Sequence, residues 1–417
     1  MKAIPFSPPY IDEDVISEVL DSLNSGWITS GPKVKALEEE ISKLCDVDYS
    51  VCVNSWTSGA ILVMKWLGLE KGDEVIIPAY TYTATAQAIL NCGATPVLVD
   101  VNDDFTINVD QIAAKITSKT KAIIPVDIAG LPCDYNSINN LVNHPKVKDL
   151  FTPTSEIQDK LGRILVISDA AHSIGASYNN KKVGSLTDIT VLSFHAVKNI
   201  TTAEGGAICI NLPNNFDAKE VYQTMKLWTL NGQTKDAFTK SQAGGWRYDI
   251  ILPGLKVNLP DISAAIGLAQ IRKYSKTLLS LRKSIANYYE TYFKKTDWAI
   301  LPTLKDEKRE SCYHLYPLRI KNFSESQRDA MIREISKRGV AVNVHFIPLP
   351  MLTLYSDMGY EIEDYPNSFK QYSGEISLPI YPQLSIEEVS YICKSIEEAY
   401  LEVTKSKLDK VLRSLLS

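Results

Sequence analysis

The sequence predicts an α/β fold: a large, mostly parallel sheet covered by helices, with a smaller α+β domain after it. Three observations predict this. Seven short runs rich in β-branched residues recur between Tyr49 and Asn211, alternating with segments of helical character. Each run is almost continuously apolar, as strands covered on both faces are, whereas half-exposed strands alternate. At 417 residues the chain also exceeds what one hydrophobic core usually organises. Two domains are therefore expected: 1–260, an arm and the large sheet, and 261–417, a linking helix and the smaller domain.

In chain order, the first thirty residues read as an arm rich in Pro and Gly, closing on Gly26-Trp27-Ile28-Thr29-Ser30-Gly31-Pro32. A helix is predicted to start near Lys33. The strand runs are Tyr49–Val53, Glu74–Pro78, Thr95–Val101, Lys121–Val126, Arg163–Ser168, Asp188–Phe194 and Ala207–Asn211. After the first of them, Asn54-Ser55-Trp56-Thr57-Ser58-Gly59 leads into a helix over Ala60–Trp66. Asn231–Gly254, dense in Gly, Trp and Tyr, breaks the rhythm and reads as a long loop, a type more often functional than idle. A long helix is predicted from Asp261 to about Thr291. Beyond Asp297, strands at Leu315–Ile320 and Ala341–His345 mix with helices at Ser326–Arg338 and Ile386–Leu401. A last amphipathic helix, Thr404–Leu416, is expected to pack on the body.

Composition narrows the function classes. A net charge of −5 and no Lys/Arg run give no footprint for nucleic acid, so an anionic ligand should be small and held in a prepared pocket. The seven cysteines (45, 52, 92, 133, 209, 312 and 393) form no C-x-x-C pair, which predicts reduced thiols rather than a disulfide framework or a zinc site. The opening stretch lacks the apolar core of a signal peptide, and no run of about 18 apolar residues occurs, so membrane insertion is not expected and a cytoplasmic location is.

Two segments carry chemistry. In Ser168-Asp169-Ala170-Ala171-His172 and in Ser193-Phe194-His195-Ala196-Val197-Lys198, an apolar strand ends and polar residues follow at once. Parallel sheets bind ligands outside the carboxyl ends of their strands, so Asp169 and Lys198 should meet over one crevice. That pair suits a pyridoxal cofactor. A lysine amine can form a Schiff base with its aldehyde, and a carboxylate can keep its pyridine nitrogen protonated. Lysine suits proton transfer too, because burial lowers its pKa. Ser193 is placed to hydrogen-bond a phosphate, and the helix N-terminus at Ser55-Trp56-Thr57 offers free N–H groups for one. Taken singly, Asp169 could be a helix cap, Lys198 a surface lysine and Gly205-Gly206 a turn; their joint occurrence at strand ends argues otherwise.

These motifs resemble the sugar aminotransferases of the DegT/DnrJ/EryC1/StrS family. Their fold is that of fold type I pyridoxal 5'-phosphate (PLP)-dependent transferases, aspartate aminotransferase-like. Within the family, Ser193 to Gly206 and Pro253-Gly254-Leu255-Lys256-Val257-Asn258-Leu259-Pro260-Asp261 are most similar to enzymes making UDP-4-amino sugars. The resemblance implies that Lys198 is the Schiff-base lysine, that Asp169 partners the pyridine nitrogen and that the Tyr82 ring stacks on the cofactor. It further implies that Ser193 and the Trp56–Thr57 backbone hold the phosphate, with His172 among the cofactor-binding positions. Lys256 and Asn258 fall where a partner subunit completes the site of a homodimer, and Thr29 and His345 fall on the substrate side. The implied reaction moves an amino group from an amino acid, by family habit L-glutamate, to a nucleotide-linked keto sugar, in surface polysaccharide synthesis. Two departures stand out: Trp56 replaces the glycine of the common Ser-Gly-Thr, and Lys256-Val257-Asn258 replaces Asn-Tyr-Arg. A sugar dehydratase on the same fold, or a non-catalytic regulator, is the alternative; dehydratases of this kind replace the lysine, which Lys198 speaks against. A Rossmann dehydrogenase lacks its G-x-G-x-x-G here.

Overall fold

The apolar runs come together as a seven-stranded sheet in the computed structural model, which describes residues 3–235, 240 and 246–416, without the side chains of 406–416. Its strands are β1 (Tyr49–Val53), β2 (Glu74–Pro78), β3 (Thr95–Val99), β4 (Thr120–Ile123), β5 (Leu165–Asp169), β8 (Ile189–Ser193) and β9 (Gly206–Ile210). Two-residue strands β6 (Ser177–Tyr178) and β7 (Lys181–Lys182) lie between β5 and β8 in sequence. The order is β1-β9-β8-β5-β4-β2-β3, and only β9 runs against its neighbours. Residues of β4, β5, β8 and β9 are buried throughout, which is why those runs read as unbroken apolar stretches. Pairing of Asp169 with Val191 and of Ser193 with Gly206 sets the ends of β5 and β8 and the start of β9 along one margin.

Sequence and structure differ where local cues compete. The N-terminal arm contains α1 (Glu13–Asn24), whose Asp12 cap accepts a hydrogen bond from the Val15 N–H at 3.2 Å. Flanking Pro and Gly draw attention away from this helix. Next come α2 (Pro32–Cys45) and α3 (Trp56–Leu67), which starts at Trp56 rather than Ala60 because Ser55 caps it through the Ser58 N–H at 3.1 Å. The predicted long helix is a rod in three parts: Asp261–Lys273, a π turn at Tyr274–Leu278, and Leu279–Phe293. Its first part lies against α1 and α2, and its last part joins the C-terminal core.

That C-terminal core surrounds a sheet of β10 (Ala299–Ile300), β12 (Tyr316–Ile320) and β13 (Glu375–Leu378); β11 (Arg309–Glu310) pairs instead with β6. The predicted strand Ala341–His345 is irregular backbone with one bridge, Asn343 to Ser377. Residues Ile386–Leu416 form one continuous helix rather than two; the amphipathic face expected on Thr404–Leu416 and part of the Asn231–Gly254 loop (236–239 and 241–245) lie outside the described residues. The seven cysteines are free, and among the described residues no helix is long and apolar enough to cross a membrane.

Candidate active site

The strand margin opens on a cavity of about 380 Å³, lined by residues from both halves of the chain. Asp169 ends β5 and is buried there. Its Oδ2 accepts from Thr85 Oγ1 at 2.8 Å and its Oδ1 from the Ala171 N–H at 3.2 Å. Burial pushes this carboxyl up to about 7, against the pull of those two donors and of Lys198. Lys198 sits in the turn after β8, its N–H donating to the His195 carbonyl at 2.9 Å. Desolvation lowers its amine to about 8, opposed by the charge of Asp169. The sequence places these two residues 29 positions apart; parallel topology puts them at one opening.

One corner of the cavity lies at the start of α3, close against the start of β9. Ser55 uses its hydroxyl on Ser58, and the amides of Trp56 and Thr57, in the first turn of the helix, have no partner among the described residues. Gly206 makes the close approach possible: a Cβ there would stand 2.9 Å from the Trp56 nitrogen and 2.6 Å from the Leu192 carbonyl oxygen. Ser193 lies beside this corner. Trp56 itself is 6% exposed and packs in the apolar core with Val53 and Ala60; its indole N–H has no hydrogen-bond partner among the described residues.

Histidines and aromatic rings form another wall. His172 Nδ1 accepts from the Ala129 N–H at 3.3 Å, and its ring lies 4.4 Å from that of His314 and 5.8 Å from Phe346. Burial holds both histidines well below the usual imidazole range, with nearby positive charge adding to it. Asn199 spends its amide on Tyr274 and Cys312, so its Oδ1 accepts from His314 Nδ1 at 2.9 Å. Tyr82, 59% exposed, precedes α4 (Thr83–Asn91) and turns its ring toward Phe346 at 5.6 Å. His345 completes the wall.

The amino-acid sequence matches the DegT/DnrJ/EryC1/StrS aminotransferase family over residues 9–397. The chain belongs to this family. It is 33% identical to the spore coat polysaccharide biosynthesis protein SpsC of Bacillus subtilis, over 95% of this chain and 96% of that one. Among solved structures it is similar to Spr1654 of Streptococcus pneumoniae, a protein assigned as a sugar aminotransferase. The PMP form of Spr1654 gives a TM-score of 0.92 at 43% identity, covering 96% of this chain and 100% of that one. Its PLP form gives 0.91 at 42%, covering 96% and 99%. Helicobacter pylori PseC, an aminotransferase involved in the biosynthesis of pseudoaminic acid, gives 0.83 at 28%, covering 96% and 100%. The protein is thus a PLP-dependent sugar aminotransferase with the type I transferase fold.

The residues of this aminotransferase fit that cofactor. A buried carboxyl and a desolvated amine share one cavity, and a glycine-floored helix N-terminus offers amides to a phosphate. The cavity brings together Trp56, Thr57, Tyr82, Asp169, His172, Ser193, Lys198 and His345. It does not include Lys256, Asn258 or Thr29. Lys256 Nζ donates to Asn258 Oδ1, Asn258 Nδ2 donates to Ser30 Oγ at 2.7 Å, and the Thr29 carbonyl accepts from the Asp261 N–H at 3.2 Å. Sequence reasoning missed Thr85, His314, Phe6 and Phe346, all of which line the cavity. For Thr85 and His314 a signal existed: a threonine one helical step past Tyr82, and one of only five histidines, set just before an apolar strand.

Proposed function

We propose that this aminotransferase moves an amino group from L-glutamate to C4 of a UDP-4-keto-6-deoxy-N-acetylhexosamine, in the making of a surface polysaccharide. The observation that carries the reading is that Lys198 and Asp169 line one cavity. PLP, when bound, supplies a ring that withdraws electrons from the carbon bearing the transferred nitrogen. Lys198 would anchor it through Nζ and, once released, take and return the proton at that carbon; a value of about 8 suits an amine that must do both near neutral pH. Asp169 would hold the proton on the pyridine nitrogen, a cation that offsets the cost of burying its charge. The Trp56 and Thr57 amides and Ser193 would hold the phosphate, and the Tyr82 ring would cover one face. His172 would close the cofactor side, and His345 would meet the sugar.

A homodimer with shared sites is part of this reading. Ile16, Leu20 and Leu23 form an exposed apolar stripe at helical spacing on α1, and Trp246, Ile250 and Ile251 are exposed as well. Lys256 and Asn258, outside their own chain's cavity, would then reach the partner's phosphate corner. The substrate class rests on the likeness of Ser193–Gly206 to enzymes making UDP-4-amino sugars, and SpsC and PseC support a setting in polysaccharide or sugar-acid synthesis. The test is direct: purified protein, glutamate and the UDP-4-keto sugar should give 2-oxoglutarate and a UDP-4-amino sugar. Failure with this sugar, but turnover with another keto sugar, would move the substrate assignment and leave the chemistry.

A further inference from the structure

On the C-terminal wall of the cavity a buried carboxyl, a hydroxyl and an imidazole stand in line. Glu375 begins β13 and is fully buried. Its Oε1 lies 2.5 Å from Ser377 Oγ, and Ser377 Oγ lies 2.9 Å from His345 Nδ1. His345 is fixed at both ends of its backbone: its N–H donates to Glu375 Oε2 at 3.0 Å, and its carbonyl accepts from Tyr80 Oη at 2.6 Å. Burial, with Lys198 nearby, lowers the imidazole to about 3, so it carries one proton on either Nδ1 or Nε2.

A hydroxyl between two such groups can donate in only one direction at a time. With Glu375 ionised, Ser377 donates to Oε1 and accepts from Nδ1–H, leaving Nε2 a bare acceptor. With Glu375 protonated, Oε1–H donates to Oγ and Oγ–H donates to Nδ1, so the proton of the ring is on Nε2. We propose that Glu375, Ser377 and His345 form a proton relay ending at the cavity, in which the charge on Glu375 decides whether His345 offers the substrate a donor or an acceptor. When Nε2–H gives its proton to a substrate atom, Nδ1 takes the proton of Ser377 Oγ and Oγ takes that of Glu375 Oε1. The Nε2–H and Oε1–H bonds break, Nδ1–H forms, the hydroxyl is renewed and a carboxylate remains.

The groups facing Glu375 are Arg319 on β12, Arg328 on the helix Glu325–Lys337, Tyr80 after β2, and His345 with Ser377. The two arginines favour the carboxylate; burial outweighs them and raises it to about 8, so both states are within reach. Glu375 and Ser377 touch no substrate in this scheme and act through His345, as positioning residues. The proposal rests on reading the cavity as the place where the sugar reacts, but its test needs no turnover.

Imidazole ¹⁵N spectra of the cofactor-loaded protein separate the two tautomers, and loss of a signal in His345→Gln assigns His345 among the five histidines. Expected is a change from Nε2–H to Nδ1–H as pH rises from about 6 to about 10. Glu375→Gln, whose carbonyl oxygen would take the His345 N–H and so turn its NH2 toward Ser377, should hold Nε2–H throughout. Ser377→Ala should abolish the response and Ser377→Thr should keep it, a pair that decides the matter even if the glutamine variant fails to fold. A single tautomer at every pH in the parent, or an unchanged response in Ser377→Ala, would overturn the relay. Borohydride labelling of Lys198 tests the catalytic reading separately.

Discussion

The two walls of the cavity are built by different means. On the sheet side, Asp169 and Lys198 owe their positions to strand ends: five-residue strands, buried throughout, deliver them to a common margin. On the C-terminal side, His345 lies in irregular backbone and owes its position to hydrogen bonds with Glu375, Ser377 and Tyr80. Topology fixes the first wall and a polar network fixes the second. The first should therefore tolerate loss of single hydrogen bonds while losing chemistry abruptly with a side chain, and the second should respond to each bond.

Lys198→Ala is the most severe break of the sheet-side wall. Turnover should fall by roughly 10³-fold or more, with folding intact because Lys198 only lines the cavity. Borohydride treatment of the parent followed by peptide mapping should place the label at Lys198, and the variant should show none. A label elsewhere would sink the role given to this residue.

Asp169→Asn sharpens the comparison by removing charge and keeping shape. We expect kcat to drop by roughly 10²-fold or more. Cofactor-free protein should, in contrast, melt higher at pH 8. The sign follows from the raised carboxyl: the folded state resists ionisation, so a cost sets in above the unfolded value near 4 and grows until about 7. Asparagine removes that cost. Lower activity with equal or lower melting would mean that Asp169 is not held as described.

How much of this was legible in the sequence follows the same division. Seven strands, the mostly parallel character of their sheet and the meeting of Asp169 with Lys198 could be read, because an apolar run followed at once by polar residues signals a strand end. Glu375 and Ser377 could not, since nothing in Glu375-Ile376-Ser377 shows that a segment thirty residues earlier docks there. Helix α1 was hidden by its Pro- and Gly-rich flanks, and the π turn at Tyr274 was hidden because its residues are ordinary helix formers. Trp56 was visible as a departure, but whether its indole would fill the cavity or the core depended on the space beneath α3.

Lys198 also predicts a pH dependence. Only the neutral amine can attack an aldehyde, and desolvation brings its value down to about 8. Uptake of PLP by cofactor-free protein, followed by absorbance, should accelerate about tenfold per pH unit below 8 and level off above it. A rate still climbing toward pH 10 would describe an ordinary exposed lysine.

The mildest change tests the claim that strand ends, rather than hydrogen bonds, place the sheet-side wall. Thr85→Val keeps the shape of the side chain and deletes the 2.8 Å bond to Asp169 Oδ2. Asp169 retains the Ala171 N–H and its place at the end of β5, so it should not move. What changes is the ease of ionisation: a lost bond to a charged acceptor is worth about 1.5–3 kcal/mol at most, and part is recovered from the cofactor's own charge. Activity near neutral pH should fall by about tenfold, while the acid limb of the kcat profile moves to higher pH. Raising the pH should then restore much of the loss. A packing defect or a displaced carboxylate would lower kcat equally at every pH, and that outcome would put Asp169 in the same class as His345, a residue held by its hydrogen bonds.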